Sequence, residues 1–366
     1  MTTARRFPTL LAFATLGLFW GAWASVLPDV QHATGVSKGA LGIALLCVAL
    51  GSIPSMLFIA GPAVDRYGSR AVAVSGAVFA AATTLPGLAG SLPLLALALL
   101  VAGGASGALD VGINANAGRL EAESGRRIMP MAHGLYSVGI LVGAVGAGLA
   151  RSAGAHRETI LLGVAVLIAI TAALLGTERI EPAPSEGKHT IHIERALLGL
   201  GILCAVAFVV EGGIESWSAL FLERELDAPP AVSGLGPGVF GASMAVGRFY
   251  GQGTRLGERT LLVGSGLLAA GGCFLAAVSP SAPVALVGLA LGGAGVALYA
   301  PIVFGAGGRR GASAVATVTT LGYFGLLVGP ALVGGVAQVT SLRGSFVVLA
   351  LVAGAVGLAA RRAKLD

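Results

Sequence analysis

Charged side chains are scarce in this sequence. Only 11% of its 366 residues are Asp, Glu, Lys or Arg, whereas 55% are hydrophobic, and a soluble domain carries about 25% charged residues. This scarcity excludes an ordinary soluble protein, and the mean hydropathy of +0.88 points the same way. The composition is that of a membrane protein.

Cysteine is nearly absent as well. The three cysteines, Cys47, Cys204 and Cys273, lie within apolar segments at unrelated spacings, so the sequence predicts neither a disulfide framework nor a metal site. No nucleophile–base pair is recognisable either, which argues against an enzyme. We therefore expect no metal, no cofactor and no enzymatic activity.

Long apolar segments are abundant instead. A helix needs about 20 apolar residues to cross the hydrocarbon core, and the 58 glycines suit the close approach of helices in lipid. The first segment is too long for a cleaved signal peptide, so we interpret it as a spanning helix. Twelve spans are predicted, which makes an all-α membrane protein: 7–30, 39–60, 71–89, 92–117, 130–150, 159–176, 196–220, 232–251, 260–278, 284–305, 313–336 and 344–360.

The net charge of +6 comes from an uneven placement of basic residues. With the N-terminus in the cytoplasm, the outer side holds only Lys38, Arg151, Arg157, Arg224 and Arg343. The positive-inside rule then places both termini in the cytoplasm, and the excess charge does not indicate a nucleic-acid partner. The abundance of Gly, Ala and Arg indicates a bacterial inner membrane. The basic residues on the cytoplasmic side are Arg5, Arg6, Arg66, Arg70, Arg119, Arg126, Arg127, Arg179, Lys188, Arg195, Arg248, Arg255, Arg259, Arg309, Arg310, Arg361, Arg362 and Lys364.

A charged segment, 61–70, separates the second and third spans and predicts a tight turn at the membrane face. A constant shift along the chain aligns it with 250–259, where Thr254 replaces the acid. We expect the charges of both copies to form a cytoplasmic gate; the alternative is that they only set the topology. The gate residues are Gly61, Asp65, Arg66, Gly68, Arg70, Arg255 and Arg259.

The polar segment 177–195 divides the chain into six spans and six spans. The pattern Gly139-x-x-x-Gly143 of span 5 recurs as Gly325-x-x-x-Gly329 in span 11. Internal repeats of this kind are typical of transporters that bind substrate near the midplane, between the repeats. We expect an N-terminal six-helix bundle (1–176), a cytoplasmic linker (177–195) and a C-terminal six-helix bundle (196–366).

Asp110 lies within span 4, about 12 Å from its cytoplasmic end at 1.5 Å per residue. Ionisable groups at this depth are costly and usually functional, and Asn114 shares its helix face one turn later. This pair predicts a substrate site or a proton-binding switch; the alternative is a structural polar cluster. His133 and Tyr136 in span 5 are further candidates, because the short 4–5 loop places His133 at the depth of Asn114.

Span 7 carries Glu211 and Glu215 one turn apart, with Glu211 the deeper of the two. Repulsion between neighbouring carboxylates favours protonation of one of them, so we expect Glu211 to take part in proton coupling. Glu215, beside Trp217, has the alternative of an interfacial residue without a role in transport.

Four aromatic residues are candidates to stack on a ring-shaped solute. The alternative for each is helix packing or an interfacial position. They are Trp20, Trp23, Tyr299 and Tyr323.

The spacing of Gly61, Asp65, Arg66, Gly68 and Arg70 resembles the loop between helices 2 and 3 of the major facilitator superfamily. This resemblance covers the whole chain and implies twelve helices in two pseudo-repeats and alternating access to a small-molecule substrate. We expect the protein to be a monomer in the bilayer. The segment 109–134, with Asp110, Asn114, Glu121 and His133, is similar to the MosC/YbjJ-like group of that family.

We expect a secondary transporter for a small polar solute that is sugar- or polyol-like, with Asp110 and Glu211 coupling its movement to protons. Alternatives are a multidrug-type exporter and a membrane sensor that does not transport. The multidrug antiporters of the superfamily carry an arginine in span 4 and Gly-Pro in span 5, but Leu100–Gly104 has no arginine and Ala144 follows Gly143. Both departures argue against the exporter.

Overall fold

The computed structural model describes residues 7–125, 128–178, 197–310, 312–363 and 365. The chain divides into two compact units, Met1–Glu186 and Gly187–Asp366. Unit one contains α1 (Phe7–Thr34), α2 (Lys38–Tyr67), α3 (Ser69–Leu88), α4 (Leu92–Ser124), α5 (Met129–Ser152) and α6 (Arg157–Leu175). Unit two contains α7 (Leu198–Leu226), α8 (Leu235–Gly253), α9 (Glu258–Val278), α10 (Ala282–Val296, continued by Tyr299–Arg310), α11 (Ala312–Val339) and α12 (Leu342–Ala359).

Eleven of the twelve predicted spans are long and apolar enough to cross a membrane within the described ranges. The exception is the region predicted as 232–251. Its helix α8 forms, but glycines together with Arg248 and Gln252 lower its hydropathy. The all-helical membrane architecture is confirmed.

The linker prediction, 177–195, lies outside the described residues except for Thr177 and Glu178. The same holds for some basic residues that support the predicted topology: Arg5, Arg6, Arg126, Arg127, Arg179, Lys188, Arg195 and Lys364.

Glycine contacts bring α1 and α5 together in unit one. A side chain at Gly139 or Gly143 would collide with the carbonyl oxygen of Ala14 or Leu18, and Gly17 of α1 meets the Tyr136 carbonyl in the same way. The two backbones therefore touch, as small residues allow in lipid.

Unit two repeats this contact between α7 and α11. A side chain at Gly325 or Gly329 would collide with the carbonyl oxygen of Ala205 or Val209. The two Gly-x-x-x-Gly patterns thus perform the same packing role in their units, which is the structural counterpart of the sequence repeat.

The prediction of a ten-residue turn at 61–70 is wrong. Helix α2 continues through a π-helical segment, Ser55–Ala60, and an α-helical segment, Gly61–Tyr67. Only Gly68 departs from helical geometry, at φ 56° and ψ −135°, before α3 begins at Ser69. This conformation favours glycine because it lacks a Cβ.

The second copy of this segment has a different shape. Helix α8 ends at Gly253, and Gly257 has an extended conformation, φ −66° and ψ 146°, before α9. Arg70 and Arg259 are each the second residue of the following helix. The two arginines therefore occupy equivalent helix positions in the two copies, but the backbone between the helices has a different conformation in each copy.

Candidate functional site

Asp110 and Asn114 form one hydrogen-bonded pair on α4. The Asn114 Nδ2 donates to the backbone oxygen of Asp110 at 2.8 Å and to its Oδ1 at 3.0 Å. Both residues are half-buried. The i, i+4 spacing on a helix makes this contact possible, and it leaves Asp110 Oδ2 and the Asn114 Oδ1 for other partners.

The other candidates of unit one lie on α1 and α5. Trp23 is only 4% exposed and belongs to the core, whereas Trp20 is half-buried and meets Phe19 edge to face at 4.9 Å between ring centroids. His133 is exposed and contacts the Phe13 ring of α1 at 5.3 Å. The half-buried Tyr136 lies one turn further along α5.

Glu211 of unit two has a cationic partner. The Arg248 Nη2 of α8 lies 4.0 Å from the Glu211 Oε1 of α7, with side chains 36% and 16% exposed. The sequence alone places Arg248 only among the basic residues that set the topology. Its side chain also reaches a carboxylate of a neighbouring helix. Its position within a predicted span was the signal available in the sequence.

Glu215 lies one turn beyond Glu211 on α7 and is half-buried. Its carboxylate has neither a hydrogen bond nor an ion pair within the part of the chain that the structure describes. Trp217, which suggested an interfacial location, is fully buried and donates from Nε1 to the Pro330 oxygen at 3.0 Å. Trp217 therefore packs α7 against α11 and marks no interface with the lipid headgroups.

The two tyrosine candidates of unit two have different surroundings. Tyr299 is 1% exposed, and its hydroxyl donates to the Leu262 oxygen of α9 at 2.9 Å, so neither face of its ring is open to a solute. Tyr323 is 40% exposed, and its ring lies 6.4 Å from that of Phe208. Phe208 also contacts the Phe304 ring at 6.3 Å.

The proposed gate residues are mostly exposed. Asp65, Arg66 and Arg70 project from the end of α2 and the start of α3, and the Arg66 guanidinium lies 5.3 Å above the Tyr67 ring. In the second copy Arg255 is exposed, and Arg259 donates to the Ala363 oxygen at 3.1 Å. Gly61 lies within the helical continuation of α2.

Sequence reasoning missed a buried carboxylate that lies three residues beyond the end of α6. Glu178 Oε1 accepts hydrogen bonds from the Thr9 backbone N–H at 3.0 Å and the Thr9 hydroxyl at 3.1 Å. Its Oε2 accepts from the Thr9 hydroxyl at 2.8 Å and the Asn116 amide at 3.2 Å. The Ser69 hydroxyl donates to the Glu178 backbone oxygen at 2.6 Å.

Glu178 thus joins the first turn of α1, the start of α3 and the later part of α4. Burial raises the pKa of its carboxyl above the ordinary value, and the hydrogen bonds from Thr9 and Asn116 oppose that rise. Nothing in the local sequence distinguishes Glu178 from the other charges of the linker. Only the tertiary contacts identify it.

Known proteins resemble this chain in sequence along most of its length. Residues 9–307 match the model of the Major Facilitator Superfamily. An uncharacterised MFS-type transporter of Yersinia pestis is 36% identical over 362 residues, which cover 96% of this chain and 94% of the relative. The membrane protein MosC of Rhizobium meliloti is 33% identical over 339 residues, which cover 89% of this chain and 82% of MosC.

Solved structures share the fold at low sequence identity. The nucleoside transporter NupG is 13% identical with a TM-score of 0.78, over 99% of this chain and 99% of that one. A variant of the Escherichia coli fucose:proton symporter FucP is 16% identical with a TM-score of 0.62, over 99% of this chain and 100% of that one.

Proposed function

The chain belongs to the Major Facilitator Superfamily of membrane transporters, and we propose that it is a secondary active transporter for a small polar organic solute. The solute is sugar- or polyol-like, it crosses the bacterial inner membrane by alternating access, and protons supply the driving force. Both termini face the cytoplasm in this proposal, and the working unit is a monomer.

The observation that carries the proposal is the Asp110–Asn114 pair within a spanning helix. Holding a carboxylate within a spanning helix costs free energy because the bilayer solvates charge poorly. On α4 the carboxylate has one amide partner, Asn114. Both hydrogen bonds from the Asn114 Nδ2 group go to Asp110, so the groups left for a solute are two acceptors, Asp110 Oδ2 and Asn114 Oδ1. A polyhydroxylated solute offers hydroxyl donors to these two oxygens.

The proton-coupling part of the proposal is supported by the second acidic group. Within the described residues Arg248 forms an ion pair with Glu211, and Glu215 lies one turn away on the same helix. Two carboxylates and one guanidinium together carry one excess negative charge, and binding of one proton neutralises it. We assign that proton to the Glu211–Glu215 pair as a unit.

The remaining candidates have supporting roles in the proposal. Trp20, His133, Tyr136 and Tyr323 have partly open side chains that can contact a solute, whereas Trp23 and Tyr299 are assigned to packing. Asp65, Arg66 and Arg70 are assigned to the cytoplasmic gate, with Arg255 and Arg259 as a weaker second copy that lacks the acid.

The proposal is tested by a thermal-shift screen of the purified protein against polyols, sugars, amino acids and common drugs. A ligand of the folded state raises the melting temperature by mass action. We expect a polyol or sugar to do so, and Asp110→Asn to abolish the shift while the exposed control Glu123→Gln keeps it. Stabilisation by apolar drugs alone would favour the multidrug-type exporter.

The solute found in the screen is then used in proteoliposomes. Uptake should follow an imposed pH gradient and collapse when a protonophore dissipates it. Uptake that Asp110→Asn leaves unchanged would refute the assigned site, and binding without any transport would indicate a sensor.

A further inference from the structure

A groove of about 750 Å³ lies between the start of α7 and the end of α12 in unit two. The lining combines apolar residues with two adjacent arginines, Arg361 and Arg362, that follow α12. Both guanidinium groups are exposed, and neither has a hydrogen bond or an ion pair within the described part of the chain. The groove therefore joins an apolar channel to two exposed positive charges.

The apolar part of the groove is open along its length. Ile202 of α7 is 57% exposed and Leu358 of α12 is 51% exposed, while Leu200 and Leu203 form its buried floor. Gly199 contributes no side chain, and the space above it is empty to beyond 4 Å. The depth from Gly199 to Leu203 is about one helical turn, roughly 6 Å.

We propose that this groove binds an anionic phospholipid of the surrounding bilayer. The two arginines hold the phosphate of the headgroup, and the first carbons of one acyl chain lie against Ile202, Leu203 and Leu358. A guanidinium matches a phosphate in geometry as well as charge, and basic pockets between spanning helices are suited to acidic lipid headgroups. Neighbouring arginines do not compete for the phosphate, because Arg259 donates to the Ala363 oxygen and Arg309 pairs with Glu258 at 2.7 Å.

This inference depends on the chain spanning a membrane and not on the solute that it transports. A lipid that occupies the groove ties the end of α12 to the start of α7, so lipid composition would affect the stability of unit two. The attraction of one basic residue to an anionic lipid surface raises the affinity for that lipid about fivefold. Two such residues together should raise it about 25-fold.

The test measures lipid binding by native mass spectrometry and thermal shift of the full chain in neutral detergent. Phosphatidylglycerol and phosphatidylcholine with identical acyl chains are compared as added probes. We expect phosphatidylglycerol to bind at least tenfold more tightly, and the double variant Arg361→Gln/Arg362→Gln to lose about 25-fold in affinity for it. Arg255→Gln, which replaces an exposed arginine outside the groove, is the matched control and should bind phosphatidylglycerol as tightly as the wild type does.

Two further measurements distinguish the contribution of the headgroup to binding from that of the acyl chain. Gly199→Leu fills the apolar channel and leaves both arginines in place, so it should weaken phosphatidylglycerol binding at least fivefold. Inorganic phosphate supplies the charge without a chain and should not raise the melting temperature. The proposal is overturned if both lipids bind equally, if Arg255→Gln has the same effect as the double variant, or if phosphate alone reproduces the stabilisation.

Discussion

The guanidinium of Arg248 on α8 lies 4.0 Å from the carboxylate of Glu211 on α7, and Glu215 follows on the same helix one turn away. Both partners are partly exposed to solvent, so their attraction is screened and modest. The contact nevertheless connects two helices, because Glu211 belongs to α7 and Arg248 to α8. It makes Arg248 a candidate for the control of the acidic pair.

A double-mutant cycle measures this contact. We expect Arg248→Gln to lower stability by about 1 kcal/mol, because it leaves two acids without their cation, and Glu211→Gln to restore part of the loss in that background. Thermal unfolding of the four proteins in detergent gives the coupling energy. Strictly additive effects would show that the two side chains do not interact.

The glycines of the α1–α5 contact give a second prediction. Gly143→Leu should destabilise unit one by about 1–3 kcal/mol or prevent folding, since its side chain would collide with the Leu18 carbonyl. Gly146→Leu on the same helix is the matched control, because nothing lies within 4 Å of the position that its Cβ takes. Size-exclusion profiles and melting temperatures compare the two, and equal behaviour would contradict the close packing.

Gly68 and Gly257 test how far the two copies of the loop are equivalent. Gly68 has a positive φ, so Gly68→Ala should cost about 1–3 kcal/mol of stability. Gly257→Ala should be nearly neutral, because extended backbone accepts any residue. The readout is the difference in melting temperature between the two variants; a larger effect at Gly257 would reverse the assignment.

Glu178 provides the prediction on pH. Burial raises the pKa of its carboxyl above the ordinary 4.5, so between that value and the higher native pKa the folded state binds more protons than the unfolded state. Stability then falls as pH rises through this window. Glu178→Gln removes the titrating group and should flatten the decline of melting temperature as the pH rises above 4.5.

The control for this experiment is Glu123→Gln, which replaces an exposed carboxylate at the end of α4. It should retain the slope of the wild type. Identical slopes for wild type and Glu178→Gln would show that Glu178 does not titrate in this range.

Much of the fold could be predicted from the sequence because the signals are local. Apolar segments of about 20 residues identify the spans, and the pattern of Gly61, Asp65, Arg66, Gly68 and Arg70 indicated the family that the comparisons confirm. The spacing of Asp110 and Asn114 was enough to place them in contact, because i and i+4 meet on any α-helix. Helix ends were less accurate, and α2 extends seven residues beyond its predicted end.

The partners of isolated residues could not be predicted. Tyr299 was considered for a solute-facing role, yet its hydroxyl reaches the Leu262 oxygen inside unit two. Trp217 suggested a membrane interface, yet it packs against α11. In an apolar helix nearly every face is hydrophobic, so periodicity does not tell which face meets lipid and which meets another helix.

The sequence by itself determined the membrane class, eleven of the twelve spans, the repeated Gly-x-x-x-Gly pattern and the family, because hydrophobic length and residue spacing along one chain are sufficient for each of these. The tertiary structure alone decided that Arg248 meets Glu211, that Glu178 joins α1, α3 and α4, and that only Gly68 breaks the segment between α2 and α3. These features depend on which helices lie side by side and at what rotation, and residues far apart in the chain come together only when the helices pack.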